Sequence, residues 1–297
     1  MLFIDLLFTK QNDKSPDAVG NAGRRFVIGK EKVNKKIRKM IAGIPGARKF
    51  YQSLKRFLLQ ALKPLLDVML KLSGVTYNRW DVISDKNCGF MEEPDFKKGF
   101  EAALKQEFHA NFGCWVVHIN QWAAHHAKQL DGDFVECGVH RARLAMSNAV
   151  YLDFKSLKDR KYYLFDTFCG LDPAFSTPEE LRLYHNSYQE EDNYRFVVES
   201  FKDFPNVVVV KGAVPMSLRQ VAIEKVAYLS IDMNCVRPEI EALEFFWPRI
   251  VPGGVIILDD YAQRGHENQK RAIDQFACSS GARVLSLPTG QGMLLKA

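Results

Sequence analysis

The chain has 297 residues, 47% of them apolar, with a formal net charge of +6. That length allows one large domain plus an appendage, with an ordinary buried core. Its six cysteines (88, 114, 137, 169, 235 and 278) include no CxxC pair and no His cluster at zinc spacing, which argues against a disulfide framework or a structural zinc site and for reduced thiols in a cytosol.

The opening MLFIDLLFTK is apolar but lacks a basic leader and a cleavage site, so it is a poor signal peptide. Residues 24 to 63 then hold 13 Lys and Arg against the single acid Glu31, which leaves a net −6 for the rest of the chain. FLLQALKPLLDVMLKL, residues 57 to 72, is interrupted by Lys63, Asp67 and Lys71, whereas a membrane span needs about 20 mostly apolar residues. The spacing predicts an amphipathic helix with a kink at Pro64. A basic block beside an apolar helical face can attract an anionic membrane surface through residues 24 to 72, making the protein cytoplasmic and peripheral at the membrane. Aromatic residues interleaved as base stacking requires are missing from the block, which disfavours nucleic acid. Residues 1 to 77 therefore read as a basic, helical N-terminal extension that leaves through the turn SGVTYN (73 to 78).

Helical spacing follows over 96 to 130, including WVVHINQWAAHHAKQL, in which His125 and His126 read as surface or packing residues. Beyond the break at DGD, short apolar runs alternate with amphipathic stretches: FVECG (134 to 138), YYLFD (162 to 166), VVVVKG (207 to 212), AYLSID (227 to 232) and VIILDD (255 to 260). Strands apolar on both faces and separated by helices imply a parallel sheet covered on two sides. RVLSLP (283 to 288) and GMLLKA (292 to 297) are separated by a short turn and must form an antiparallel hairpin. About 40 residues separate the second and third strands, far more than one crossover helix needs, so the surplus is a candidate lid or acceptor-binding insertion.

Open α/β sheets bind ligands beyond the carboxyl ends of their strands, so those ends locate the chemistry. The first offers Glu136 and Gly138, the second Asp166, the third Gly212, the fourth Asp232 and Asn234, and the fifth Asp259 and Asp260. The stretch GVHRARLA lacks the glycines of a dinucleotide fingerprint, which favours a cofactor without phosphate, such as S-adenosylmethionine, over a nicotinamide. An acid at the end of the second strand can accept both ribose hydroxyls, or cap a turn. The acids of the fourth and fifth strands converge, and hard oxygen ligands in that number suit Mg²⁺; the competing reading makes them helix caps.

At these residues the sequence resembles the macrocin O-methyltransferase family (TylF, MycF and NovP type). The matching stretches are GDFVECGVHR, YYLFDTFCGL, VVVVKGAVPMSL, AYLSIDMNCVRPEIEALEFFWPRIVPGGVIILDDY and GHENQKRAIDQF. The resemblance implies a class I methyltransferase: an α/β, Rossmann-like sheet of seven strands with an antiparallel C-terminal hairpin, carried by residues 78 to 297. It further implies Mg²⁺-assisted transfer of the methyl of S-adenosyl-L-methionine to a hydroxyl of a sugar, glycolipid, glycan or other small-molecule acceptor. Carried over by position, Glu136, Gly138, Arg141, Asp166, Thr167 and Gly212 serve the cofactor, and Asp232, Asp259 and Asp260 hold the metal. Asp232 can double as the base, with His140 and His266 as further candidates; the Lys that similar catechol-type enzymes use is replaced here by Cys235. Two departures stand out: Ala142 and Arg143 occupy a loop that usually carries small glycines, and Asn234 replaces a second acid. They motivate an alternative reading, a catalytically degenerate scaffold docked through its basic arm, and a homo-oligomer is compatible with either.

Overall fold

The computed structural model describes residues 61–106, 113–184 and 193–297. The signal-peptide question, most of the basic block and the reading of 1–60 as helical lie outside the described residues. The chain divides into two compact units, Met1–Asn87 and Cys88–Ala297. In the first, residues 61–72 are helical, and Tyr77–Asn78 pairs antiparallel with Ile83–Ser84. Among the described residues, no helix is long and apolar enough to cross a membrane.

In the second unit the helical spacing over 96 to 130 belongs to two helices, α1 (Pro94–Gln106) and α2 (Cys114–Ala127). The sheet follows: β1 (Asp133–Cys137), β2 (Tyr162–Asp166), β3 (Val207–Lys211), β4 (Val226–Ile231) and β5 (Ile250–Leu258), then the short β6 (Leu285–Ser286) and β7 (Gly292–Leu295). Helix α3 (Arg143–Tyr151) follows β1, α4 (Pro178–Leu183) and α5 (Asn193–Ser200) lie between β2 and β3, α6 (Val236–Phe246) follows β4, and α7 (Glu267–Ser279) follows β5. The strand order is 3-2-1-4-5-7-6. The first five strands run parallel and β7 pairs antiparallel with both β5 and β6, as the doubly apolar runs and the terminal hairpin require.

Successive strand residues feed two cores, one on each face. Val135, Phe165, Leu229, Ile231 and Ile256 pack with Leu243 and Phe246 of α6 and Ile273 of α7. Phe134, Tyr162, Leu164, Tyr228 and Ile257 pack with Ala123 and Ala127 of α2 and Ala145 and Ala149 of α3. The small residues on α2 and α3 let those helices approach the large aromatic side chains of the sheet. Each fully buried Leu, Ile or Phe contributes roughly 1.5–3 kcal/mol through removal from water. The strand order reverses between β1 and β4, which lie side by side, and a crevice opens at their carboxyl ends, where a ligand belongs in such sheets.

Candidate active site

β1 ends one residue before Gly138, which lines that crevice. Gly138 adopts φ +86°, and a Cβ on it would lie 1.8 Å from the Asp232 carbonyl oxygen. Only glycine lets the turn after β1 lie this close to the end of β4. The turn continues through His140 (φ +48°) and Ala142 (φ +58°), both in the left-handed region, where a side chain costs about 1–2 kcal/mol. Asp166, at the end of β2, offsets that strain: its Oδ2 accepts hydrogen bonds from the Val139 and His140 N–H groups at 2.7 and 2.8 Å. Its Oδ1 accepts from Phe168 N–H at 2.6 Å. The carboxylate therefore fixes two loops, a structural use that the expectation of ribose binding did not include.

The cleft encloses about 740 Å³, part of it open solvent, between the ends of β1 to β4. Of the residues singled out from the sequence, Gly138, His140, Asp166, Thr167, Gly212 and Asp232 line it, with Asn234 and Cys235 beside them. Glu136 lies below, 3% exposed, and accepts a 3.0 Å hydrogen bond from the Tyr162 hydroxyl. Burial, with the charge of Asp259, pushes its pKa up to about 8. Arg141 lies outside the cleft lining; its Nε donates to Gln106 O at 2.7 Å and its guanidinium stacks on Phe196. It ties the turn to α1 and α5.

A second group of acids gathers at the ends of β4 and β5. Burial raises the pKa of Asp232, and Asp259, Asp260 and Glu239 raise it further. Burial also raises Asp259, against the pull of Arg143 and a 3.1 Å hydrogen bond from Gln291 Nε2. Asp260 is pushed up to about 6 by burial and then by Asp259. Its Oδ2 is buried without a hydrogen-bond partner, 3.5 Å from Nδ1 of His266. Asn234 (φ +57°) turns its amide nitrogen to Asp232 Oδ1 at 3.2 Å, so it donates where an acid would repel. Cys235 is held well away from thiolate chemistry, its pKa pushed up to about 12 by burial.

His266 is fastened at both nitrogens, 2.6 Å from Gln269 Oε1 and 2.9 Å from the Tyr184 hydroxyl. Gln269 in turn donates to Glu239 Oε1 at 3.0 Å, which also accepts from Met233 N–H. The insertion thus reaches the far side of the site through Tyr184. It is latched there a second time by Glu180, which forms a capping box with Thr177 and accepts from Val236 N–H at 2.9 Å.

Glu239, Gln269, Gln291 and Tyr184 escape the strand-end argument. For Glu239 a signal exists: Ala242, Leu243 and Phe246, three, four and seven residues on, are all buried, so this acid occupies the apolar stripe of α6. Its pKa is pushed up to about 8 by burial and by Asp260. A carboxyl raised in the folded state stabilises fully below its ordinary value of 4.5, and that contribution is lost as pH climbs through the raised one. Glu239→Gln is therefore expected to leave the melting temperature near wild type at about pH 5 and to raise it by about 5 °C at pH 8 in metal-free buffer. Equal shifts at both pH values would contradict the buried charge.

The family model for macrocin O-methyltransferase matches residues 119–283. The solved structure of the O-methyltransferase NovP is 19% identical, with a TM-score of 0.55 over 64% of this chain and 82% of NovP. That of the calicheamicin methyltransferase CalS11 is 14% identical, with a TM-score of 0.51 over 68% of this chain and 93% of CalS11. No curated protein sequence matches.

Proposed function

Since the chain belongs to the macrocin O-methyltransferase (TylF) family, and is a class I S-adenosylmethionine-dependent O-methyltransferase, we propose that it methylates a hydroxyl of a sugar, glycolipid or related small molecule with Mg²⁺ bound beside the cofactor. Asp232 carries this reading: it lines the cleft and belongs at the same time to the acid group of β4 and β5. On this reading residues 78–297 perform the reaction and the basic extension does not.

The cleft fits a cofactor without phosphate. Its glycine turn lacks a phosphate cradle, Thr167 and Gly212 line the cleft at the ends of β2 and β3, and Oδ1 of Asp166, which accepts from Phe168 N–H, keeps an acceptor position for a ribose hydroxyl. When bound there, S-adenosylmethionine supplies an electrophilic methyl group.

The donor set also fits a hard divalent cation. Asp259 raises the pKa of both Asp232 and Asp260, Asp260 raises that of Asp232, and the buried Oδ2 of Asp260 has no hydrogen-bond partner. As placed, the acids are not closed into one shell: among the described residues no group of three or more His, Cys, Asp or Glu is gathered to hold a metal. Asp232, Asp259 and Asp260 would be its ligands, and the ion would supply charge that lowers the acceptor pKa and orients it. The chain's own residues then do three things. Asp232 receives the hydroxyl proton or passes it to solvent, His140 faces the cleft at the turn, and the latched insertion keeps water from the reacting pair.

Calorimetry tests both halves. S-adenosylmethionine is expected to bind at micromolar concentration, and Mg²⁺ at ~10 mM is expected to raise the melting temperature more at pH 8 than at pH 5.5, because the raised pKa values leave these acids more fully ionised at the higher pH. Absence of cofactor binding would sink the enzyme reading; a pH-independent or missing Mg²⁺ effect would sink the metal.

A further inference from the structure

In the first unit, the helix over 61–72 carries an exposed apolar side. Leu62, Leu65, Met69 and Leu72 recur at steps of three and four, and they are 49, 60, 57 and 83% exposed. Val68 widens the stripe at 53%. Lys63, Asp67 and Lys71 stand on the opposite side. Such a stripe costs free energy in water and marks a contact surface.

We propose that this face lies in the interfacial layer of an anionic lipid bilayer, with the basic residues that precede it gripping the headgroups. Two features select this occupant. An interfacial helix needs an apolar side immersed to the depth of one side chain and cations at headgroup level, and the chain supplies both within residues 24 to 72: the stripe and 13 Lys and Arg against one acid up to position 63. A second copy of the chain is the competing occupant, but pairing two such helices would bring two strongly basic blocks together, which charge repulsion opposes. Trp80, 43% exposed in the hairpin of the same unit, is of the residue type that settles at a lipid–water boundary, and Ile83 beside it is 39% exposed.

The full chain sedimented with phosphatidylcholine vesicles containing ~30% phosphatidylglycerol is expected to partition at least about tenfold more strongly than with phosphatidylcholine alone, and to lose that advantage at high salt. The double variant Leu65→Asp, Met69→Asp is expected to weaken partition by about tenfold or more. Its far-UV circular dichroism and melting temperature should match wild type, because both side chains are already in water. Three outcomes would overturn the proposal: equal sedimentation of the double variant and wild type, no preference for anionic vesicles, or a concentration-dependent dimer that the same variant converts to monomer.

Discussion

Asp232→Asn is expected to lower kcat/KM by about 10²–10³-fold, a loss of roughly 3–4 kcal/mol in transition-state stabilisation, while making the metal-free protein harder to melt. The two effects share one cause. Asp232 sits among Asp259, Asp260 and Glu239, and burial with their charges raises its pKa well above the ordinary 3.8. Its folded form thus favours the proton, and the cost of ionising it grows as pH rises from the ordinary value towards the raised one. The amide keeps the shape and the acceptor oxygen that Asn234 Nδ2 contacts, but it never ionises. The stability gain should be small near pH 5, grow towards pH 8, and shrink when Mg²⁺ is added to the wild type. A fall in activity of less than about tenfold would remove Asp232 from the reaction. A variant that loses stability at pH 8 would show instead that its carboxylate is paired by some other cation.

Gly138→Ala should be the most damaging small substitution in the cleft. The added carbon meets the Asp232 carbonyl oxygen at 1.8 Å and its carbonyl carbon at 2.5 Å, in a conformation with φ +86°. Both obstacles are backbone, so rotamer changes cannot relieve them, and the turn must pull away from β4. Doing so strips the Val139 and His140 N–H groups from Asp166. Left-handed strain alone costs about 1–2 kcal/mol, and the overlap adds a further ~1–3 kcal/mol. Cofactor affinity is expected to fall by at least about 100-fold, measured by titration calorimetry. Gly265→Ala supplies the control, because Gly265 shares a positive φ of +93° but has nothing within 4 Å of the added carbon. It should show the strain without the loss of affinity. If both variants bind cofactor alike, closeness to Asp232 is not what Gly138 provides.

Much of this arrangement is legible in the sequence because the parallel sheet imposes it. A strand buried on both faces is mostly apolar, so YYLFD and AYLSID stand out, and the acid that ends each marks the cleft. The strand boundaries move by a residue or two except at β5, which begins at Ile250 because that residue already pairs with Val226, and the register shifts before pairing resumes at Val255. Side-chain allegiance is harder to read. Asp166 ends its strand as expected, yet its hydrogen bonds go to backbone amides of the neighbouring turn, and a strand end does not reveal which donors reach it. Arg141 follows the family position by position, but its guanidinium reaches Gln106 and Phe196, on elements far away in sequence. Tyr184 and Gln291 join the site from the insertion and the terminal hairpin, where no periodicity constrains them. Ala142 is a different case. Its backbone is left-handed, a conformation that favours glycine, so the alanine here carries local strain.

The placement of β7 between β5 and β6 bears on how the site is assembled during synthesis. β5 carries Asp259 and Asp260, and its outer edge is paired by residues 292–295, which leave the ribosome after every other strand. Gln291, at the same turn, supplies the hydrogen bond to Asp259. Until this last segment arrives, β5 has an open edge and its acids lack that donor, so the acid side of the cleft is finished last. A nascent chain can complete the turn around Gly138 well before it can order the acids opposite, and an open strand edge is where a partly made protein is most exposed to mispairing.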